Sequence, residues 1–309
     1  MLNDPMLTYA TKRFAMVIVT AFIVASVTFI LIHSLAGNPF TCISNPASCR
    51  AEARLFGLDR PLIDQYGHFM WGLVHFNLGY SYVSQGVRVT SMLTTEFENS
   101  LTLGLCALAV TIVVGLAVGI LAAVRHNTWV DYLLSGFVVF GYSVPNFVLA
   151  TFVIIITTIL LPNWSGVIGW GTPQQLILPA IALGLPFSAV VARLTRATLL
   201  DVLGEDYVRT AWAKGLTPRV VVIRHALRNG LIPVVTIGGP LVTGIIVGSV
   251  VIETIFGIPG LGKEFVASLL MRDYNVVVGL YTFYAVLIGL ANMVVDLIYP
   301  LLDPKVRYA

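Results

Sequence analysis

A glycine-rich stretch, GIPGLGK at residues 257–263, has the spacing of a nucleotide-binding P-loop. In a P-loop, backbone N–H groups hold the phosphates, the lysine neutralises them, and a following serine or threonine binds magnesium. Here Glu264 occupies the magnesium position, Pro259 removes one backbone N–H, and no strand of a soluble domain is predicted before the stretch. We interpret it as a kinked turn and predict no ATPase site in this chain.

Three ionisable side chains, His33, Glu253 and Asp296, fall within apolar segments. Burying such groups in a bilayer is costly, so each is a functional candidate. Glu253 and Asp296 lie near the ends of their segments, which favours a structural hydrogen bond or ion pair over a substrate role. His33 lies near an outer edge, within reach of water. Three separate sites do not form a proton relay, and the sequence predicts neither a metal site nor a catalytic group.

Cys42 and Cys49 flank the short sequence ISNPAS in an early polar segment. On an extracytoplasmic surface, a small disulfide-closed loop is chemically reasonable, and two unpaired thiols are the alternative. Cys106 lies inside an apolar run, where we expect it to pack against neighbouring side chains.

The composition identifies an integral membrane protein. Of its 309 residues, 57% are hydrophobic and 11% are charged, with a mean hydropathy of +0.89, whereas a soluble domain has about 25% charged residues. A net charge of +3 is too small to indicate a nucleic-acid partner. We predict a single all-α membrane domain over residues 1–309.

Six apolar segments are long enough to cross a bilayer of ordinary thickness. They are residues 14–35, 100–124, 132–161, 176–200, 231–256 and 276–302. The first exceeds a typical signal-peptide core, so we interpret it as a retained span. Residues 36–98 form a polar extracytoplasmic segment, in which helical spacing predicts a surface helix at 62–76.

Prolines interrupt the third, fourth and fifth spans. They are Pro145, Pro179, Pro186, Pro233 and Pro240. Each frees a backbone carbonyl that lipid cannot satisfy, so the breaks must face other helices or a wet cavity.

Positive charge predicts the orientation. The N-terminus, the 125–131 turn, the 193–228 region and the C-terminus hold 12 of the 18 lysines and arginines. These segments are assigned to the cytoplasm, because short cytoplasmic loops are enriched in positive charge. Both termini are therefore predicted to lie on the cytoplasmic side of the membrane.

Glycine pairs at Gly115/Gly119 and Gly244/Gly248 allow helices to approach closely. Tight packing within the bundle is the favoured interpretation, and contact with a second membrane-embedded chain is the alternative.

The longest charged connection is the loop at residues 201–230. Apolar residues from Leu203 to Leu216 recur at steps of three and four, which predicts a short amphipathic helix. Gly204 and Gly215 are expected to bound it, and Thr217-Pro218 is typical of the start of a second helix. Such a helix rests on the lipid surface or docks into a protein partner, and the pattern alone leaves both open.

Within this loop, YVRTAWAKGL followed by RHALRNGLIP resembles the EAA loop of ABC-importer permeases, in the form found in the dipeptide, oligopeptide and nickel group. Arg209 replaces the glutamate that names the motif, as is usual in this group, while Trp212 stands where arginine is more frequent. Further segments are similar to the same group's B-type subunit, in order along residues 8–309. They are GLDRPL, NLGYS, YSVPNF, ETIFGIPGLG and VDLIYPLLDPKVRY.

The resemblance implies a type I importer permease fold of six spans, whose short cytoplasmic helix couples to an ATPase subunit. The residues that it assigns to coupling are Tyr207, Arg209, Ala211, Lys214, Gly215 and Leu216. Candidates for an outer gate or a structural role are Glu253, Pro259, Gly260, Gly262 and Asp296.

The expected function is peptide import by alternating access. The implied partners are a second permease subunit, ATPase subunits that bind ATP and magnesium, an extracytoplasmic substrate-binding protein, a peptide and membrane lipid. Nickel chelates and heme are the alternative cargoes. A secondary transporter would need mid-membrane ion sites and often an internal repeat, and the sequence predicts neither.

Overall fold

The computed structural model describes residues 5–34, 51, 53–84, 86–164 and 166–302. These residues form helices joined by turns, which confirms the all-α prediction. The helices are α1 Pro5–Ser34, α2 Leu62–Val74, α3 Val89–Val124, α4 Trp129–Ser143, α5 Asn146–Leu160, α6 Pro173–Leu203, α7 Asp206–Ala213, α8 (residues 218–230), α9 Ile232–Thr236, α10 Gly238–Phe256, α11 Leu261–Met271 and α12 Tyr274–Leu302.

Five of these helices, α1, α3, α6, α10 and α12, are long and apolar enough to cross a membrane. The α4–α5 pair passes the same test but is bent by 110°. Counted as one span, this pair gives the six predicted spans.

The third span is therefore not the single run expected over residues 132–161. Pro145 has no N–H for the helical ladder, and a residue before proline is pushed out of the helical region. Val144 accordingly has an extended backbone, with φ −87° and ψ 123°. Pro179 and Pro186, by contrast, lie inside α6 without ending it.

Other boundaries also differ from the sequence prediction, and the fifth span begins at Gly238 rather than at residue 231. α3 begins at Val89 rather than at residue 100, because the polar stretch before the apolar run is also helical. The connection after the fifth span, for which the sequence predicted only a kinked turn, contains the helix α11.

The described residues form two compact units. The larger is built around residues 101–258, where α6 packs against α3, α4, α5 and α10. Its core contains fully buried residues from several of these helices, among them Leu103, Ala107, Leu183, Ile252 and Phe256.

Glycines allow close helix contacts in this unit. A Cβ built on Gly115 would lie 2.6 Å from the Cβ of Val191, and one on Gly119 would lie 2.6 Å from the carbonyl oxygen of Ala192. A Cβ on Gly244 would lie 2.6 Å from the ring of Phe187. Both glycine pairs therefore pack within this chain, as the favoured interpretation predicted.

The smaller unit is built around residues 11–100 and 259–290. Asp273, just before α12, is buried and accepts hydrogen bonds from the hydroxyl of Ser81 and the N–H of Val83. Burial and the charge of Asp273 raise the pKa of Tyr82 in the same cluster. These contacts attach the residues that precede α3 to the start of the last span.

Candidate coupling site

The short helix α7 begins where the sequence predicts it. α6 ends at Leu203, and the N–H of Gly204 donates to the carbonyl of Asp201 at 3.1 Å. Glu205 is extended and precedes the first helical residue, Asp206. Two acids at the start suit the positive end of a helix dipole.

The end of α7 is set by Gly215. Its φ is +74°, in the left-handed region that glycine occupies without steric cost. The N–H of Gly215 donates to the carbonyl of Trp212 at 2.9 Å, and the N–H of Leu216 donates to Ala211 at 3.4 Å. This pair of bonds is a Schellman motif, which satisfies carbonyls that the helix leaves free. Gly215 thus ends the helix as predicted and turns the chain towards α8.

One side of α7 packs inward. Val208 is fully buried and Ala211 is 4% exposed. Both belong to a small cluster with Val221 of α8, against which Leu203 and Leu216 also pack. Of the residues assigned to coupling, Ala211 and Leu216 therefore face the loop's own core.

The other side of α7 is exposed. Tyr207 and Trp212 are 41% and 42% exposed, and Arg209 and Lys214 are exposed charged residues. Arg209 is 3.5 Å from Asp206 in an exposed ion pair, which such geometry makes weak. The predicted apolar stripe thus divides into a buried aliphatic part and an exposed aromatic part. Large aromatic and cationic side chains of this kind are typical anchors of protein interfaces.

The returning helix α8 fixes α7 in place. Asn229 donates its side-chain N–H to the hydroxyl of Tyr207 at 2.9 Å. α8 contains a π-helical segment, Val221–Ala226, which places Val221, Val222 and Ala226 on its buried side. The hydroxyl of Thr198 on α6 donates to the carbonyl of Gly230 at 2.6 Å. α6, α7 and α8 therefore form one connected block.

A buried ion pair joins this block to the 125–131 turn. Asp131 is 2% exposed, and its carboxylate accepts hydrogen bonds from Arg196 Nε at 2.7 Å and Nη2 at 2.8 Å. It also accepts from the N–H of Asn127 at 3.1 Å, and His126 Nδ1 lies 3.3 Å away. This pair was not predicted from the sequence. The sequence did contain a signal for it, because Asp131 and Arg196 have opposite charges and lie at the ends of two spans that were assigned to the same side of the membrane.

The outer-gate candidates lie around the turn before α11. Gly257 ends α10 with φ +73°, and Gly260 precedes the first residue of α11. The carbonyl of Pro259 accepts a hydrogen bond from the Asn99 side chain at 2.7 Å, and the N–H of Leu261 donates to the hydroxyl of Ser100 at 2.9 Å. The kinked turn predicted at this point is present.

The remaining candidates are placed as follows. Gly262 is buried in the first turn of α11, and burial raises the pKa of the neighbouring Glu264. Glu253 is fully buried on α10, and its backbone carbonyl accepts the N–H of Ile258 at 2.9 Å. Asp296 is half-buried on α12. Their gate or structural roles stay predictions.

Cys42 and Cys49 lie outside the described residues, and their pairing also stays a prediction. Among the residues that the structure does describe, there is no cluster of three or more metal-ligating side chains.

The fold is shared with a solved transporter. The chain superposes on a chain of the MetNI methionine ABC transporter, in an inward-facing conformation, with a TM-score of 0.59 and 20% identity. The match covers 69% of this chain and 96% of that one. It shows a type I importer permease fold.

Sequence comparisons extend the match along almost the whole chain. The chain is 40% identical over 301 residues to the dipeptide transport system permease protein DppB of Bacillus subtilis, covering 97% of each. It is 36% identical to the oligopeptide permease OppB of Salmonella typhimurium, and 38% identical to the glutathione permease GsiC of Shigella flexneri. Both matches cover 98% of this chain and 100% of the relative.

A family model for transport permeases matches residues 115–308, which include α7 and α8. Members of this family are multi-pass inner-membrane permease subunits that work with an ATPase and a binding protein, and they are not themselves the ATPase. The chain belongs to the family of binding-protein-dependent transport system inner membrane components.

Proposed function

We propose that this permease moves peptides across the inner membrane, after a substrate-binding protein delivers them at the outer face. The three relatives above are named for a dipeptide, oligopeptides and glutathione, whose shared chemistry is the short peptide. Nickel chelates and heme are disfavoured as cargo by these names.

We further propose that α7 is the helix to which an ATPase subunit docks. The observation that supports this is its two-sided packing: Val208 and Ala211 are buried in the loop, while Tyr207, Arg209 and Trp212 are exposed. A helix that only rested on lipid would direct an apolar side outward, but the exposed side of α7 mixes aromatic with charged residues. Docking into a groove on a protein fits that mixture.

Only a few contacts separate α7 from the membrane spans. Val208 contacts the cluster that includes Leu203 at the end of α6 and Val221 in α8. Arg196 continues the connection from α6 to Asp131 at the start of α4. Movement of α7 is therefore expected to move α6, α8 and α4 together.

In this mechanism, ATP and magnesium bind to the partner ATPases, and a second permease chain forms the pathway with this one. ATP binding favours the closed ATPase dimer. A ligand shifts an equilibrium only through its different affinities for the two states. In this mechanism α7 transmits the preference of ATP for the closed ATPase dimer, and the pathway shifts between its inward-open and outward-open states. Both termini and residues 201–230 lie in the cytoplasm.

Reconstitution tests the function. The chain, its second permease and the ATPases are placed in proteoliposomes with the binding protein, and uptake of a labelled peptide is measured. We expect uptake only with ATP and all components, and competition by unlabelled peptides but not by a nickel chelate or heme. Uptake driven by an ion gradient without ATPase would establish a secondary transporter instead.

The orientation of α7 is tested separately in cells. With the native cysteines replaced, Lys214→Cys is treated with a membrane-impermeant maleimide. We expect labelling only after the inner membrane is permeabilised. Labelling in intact cells would place this loop outside and refute ATPase docking.

A further inference from the structure

The extracytoplasmic helix α2 is attached along one side to the first span. The hydroxyl groups of Tyr66 on α2 and Ser26 on α1 are 2.8 Å apart. The ring centroid of Phe29 lies 5.5 Å from that of Tyr66 and 5.8 Å from that of Phe69. α2 therefore lies against the part of α1 that contains Ser26 and Phe29.

These contacts fix the depth of α2 in the membrane. The apolar part of α1 starts at Phe14, directly after Lys12 and Arg13. With a rise of about 1.5 Å per residue, a hydrocarbon core of about 30 Å that starts at Phe14 ends near His33. Phe29 then lies about 6 Å, and Ser26 about 10 Å, inside the outer boundary. A helix in contact with both lies at the level of the outer leaflet.

A second side of α2 is apolar and uncovered. Ile63 is 73% exposed, Trp71 is 68% exposed and Val74 is 74% exposed. With Gly67, which has open space where a Cβ would be, they recur at steps of four, four and three and form one stripe. Exposed to water, this stripe would be unfavourable.

A third side of α2 is polar. Asp64 and His68 are exposed one position after Ile63 and Gly67, on the neighbouring stripe. They line an open cavity of about 210 Å³, together with Arg60, Gln65 and His33. Trp71, at the edge of the apolar stripe nearest to the polar one, also lines it. An indole with an apolar body and one N–H donor suits a boundary between lipid and water.

We propose that α2 is an interfacial helix that inserts its Ile63–Val74 stripe into the outer leaflet and turns Asp64 and His68 to water. The depth inferred from α1 matches the 5–10 Å at which such helices bury their apolar side, at about the boundary of headgroups and acyl chains. At the same level of the membrane, α1 also has exposed apolar side chains, since Val27 and Ile30 are 49% and 60% exposed. The occupant of this surface is phospholipid, since a water-soluble partner does not reach this depth.

Nitroxide labels test the proposal in the assembled transporter. In a background with Cys42→Ser, Cys49→Ser and Cys106→Ala, single cysteines are introduced and spin-labelled. The labelled positions are Ile63→Cys and Val74→Cys on the apolar stripe, Asp64→Cys and His68→Cys on the polar stripe, and Ile30→Cys on α1 as the lipid reference. Collision with oxygen, which concentrates in lipid, is compared with collision with a water-soluble nickel chelate. ATP-driven uptake by each variant establishes that it is folded.

We expect the ratio of oxygen to nickel accessibility at positions 63 and 74 to equal that at position 30, and to exceed that at positions 64 and 68 several-fold. Nickel-accessible labels at 63 and 74 would overturn the proposal by placing the stripe in water. Labels there that reach neither reagent would also overturn it, because a protein partner would then cover the stripe.

A second measurement avoids cysteine replacement. A photoreactive benzophenone amino acid is incorporated at position 74, or at position 68 as the matched control, and the membranes are illuminated. Cross-links to radiolabelled phospholipid at 74 but not at 68 are expected. Equal cross-linking at both positions, or cross-links at 74 to protein alone, would overturn the proposal.

Discussion

Arg196 donates hydrogen bonds to both carboxylate oxygens of Asp131, from Nε at 2.7 Å and Nη2 at 2.8 Å. The two residues lie 65 positions apart in the chain, and the pair joins the start of α4 to α6 seven residues before α6 ends. The side chain of Asp131 is 3% exposed and that of Arg196 is 30% exposed. Two parallel bonds from one guanidinium fix the angle of contact as well as its distance. This pair therefore stiffens the connection between α4 and α6 through which α7 is proposed to act on the spans.

Arg196→Ala should destabilise the protein because it leaves a buried carboxylate without its main partner. We expect a loss of about 3 kcal/mol in the free energy of unfolding, measured by denaturant titration in detergent. Arg193→Ala, one turn earlier, is the control, since Arg193 is exposed and lies 5.3 Å from the ring of Tyr142. Equal losses in the two variants would contradict the proposed importance of the pair. Adding Asp131→Ala to Arg196→Ala should recover part of the loss.

Gly215→Asp should uncouple ATP hydrolysis from uptake while leaving insertion and folding largely intact. An added side chain meets no atom within 4 Å, but φ of +74° costs a non-glycine residue about 1 kcal/mol. The strain and the new charge fall on the turn beside the proposed docking surface. ATPase activity and peptide uptake are measured together in proteoliposomes. Gly136→Ala is the control, because Gly136 is also uncrowded and lies within α4. Normal uptake by Gly215→Asp would refute the docking assignment.

Trp212→Ala and Val208→Asp should separate docking from loop stability. Trp212 is 42% exposed, so its loss should weaken ATPase binding by about 2 kcal/mol without lowering thermal stability. Val208 is fully buried, so a charge there should lower both the affinity for the ATPase and the thermal stability of the permease. ATPase affinity is measured with purified components, and the melting temperature of the permease is measured alone. A stable Val208→Asp variant would show that the loop is not packed as described.

Gly119→Ala should strain the contact between α3 and α6. The new methyl group would lie 2.6 Å from both the carbonyl oxygen of Ala192 and the Cβ of Thr195, so the helices must separate. We expect a cost of about 1–3 kcal/mol in the free energy of unfolding. Gly104→Ala on the same helix is the matched control, because its nearest contact is a methyl group of Ile245 at 3.9 Å. No difference between the two variants would contradict the close packing.

The sequence was sufficient for features that depend on local chemistry. Gly204 and Gly215 bound α7, and Thr217-Pro218 begins α8, as predicted. These helix ends were predictable because they depend only on the conformation and hydrogen bonds of neighbouring backbone groups. The spans followed from their length and apolar composition. In the candidate site, periodicity located the stripe of α7 but did not say which half of it is buried.

Features that depend on distant contacts were not predictable from the pattern. The burial of Ala211 is decided by Val221, which belongs to the next helix. The pairing of Asp131 with Arg196 needs two helices to pack in one particular way. Pro145 indicated an interruption of the third span, but the 110° angle depends on how α4 and α5 each pack against α6.

The bend at Pro145 also bears on how the protein is made. α4 and α5 contain 15 residues each, so each is about 22 Å long, shorter than a hydrocarbon core of about 30 Å. Neither half can serve as a complete membrane-crossing segment on its own during biosynthesis. We therefore expect the two to leave the insertion machinery as a pair and to reach their final arrangement only after α6, which packs against both, has been synthesised.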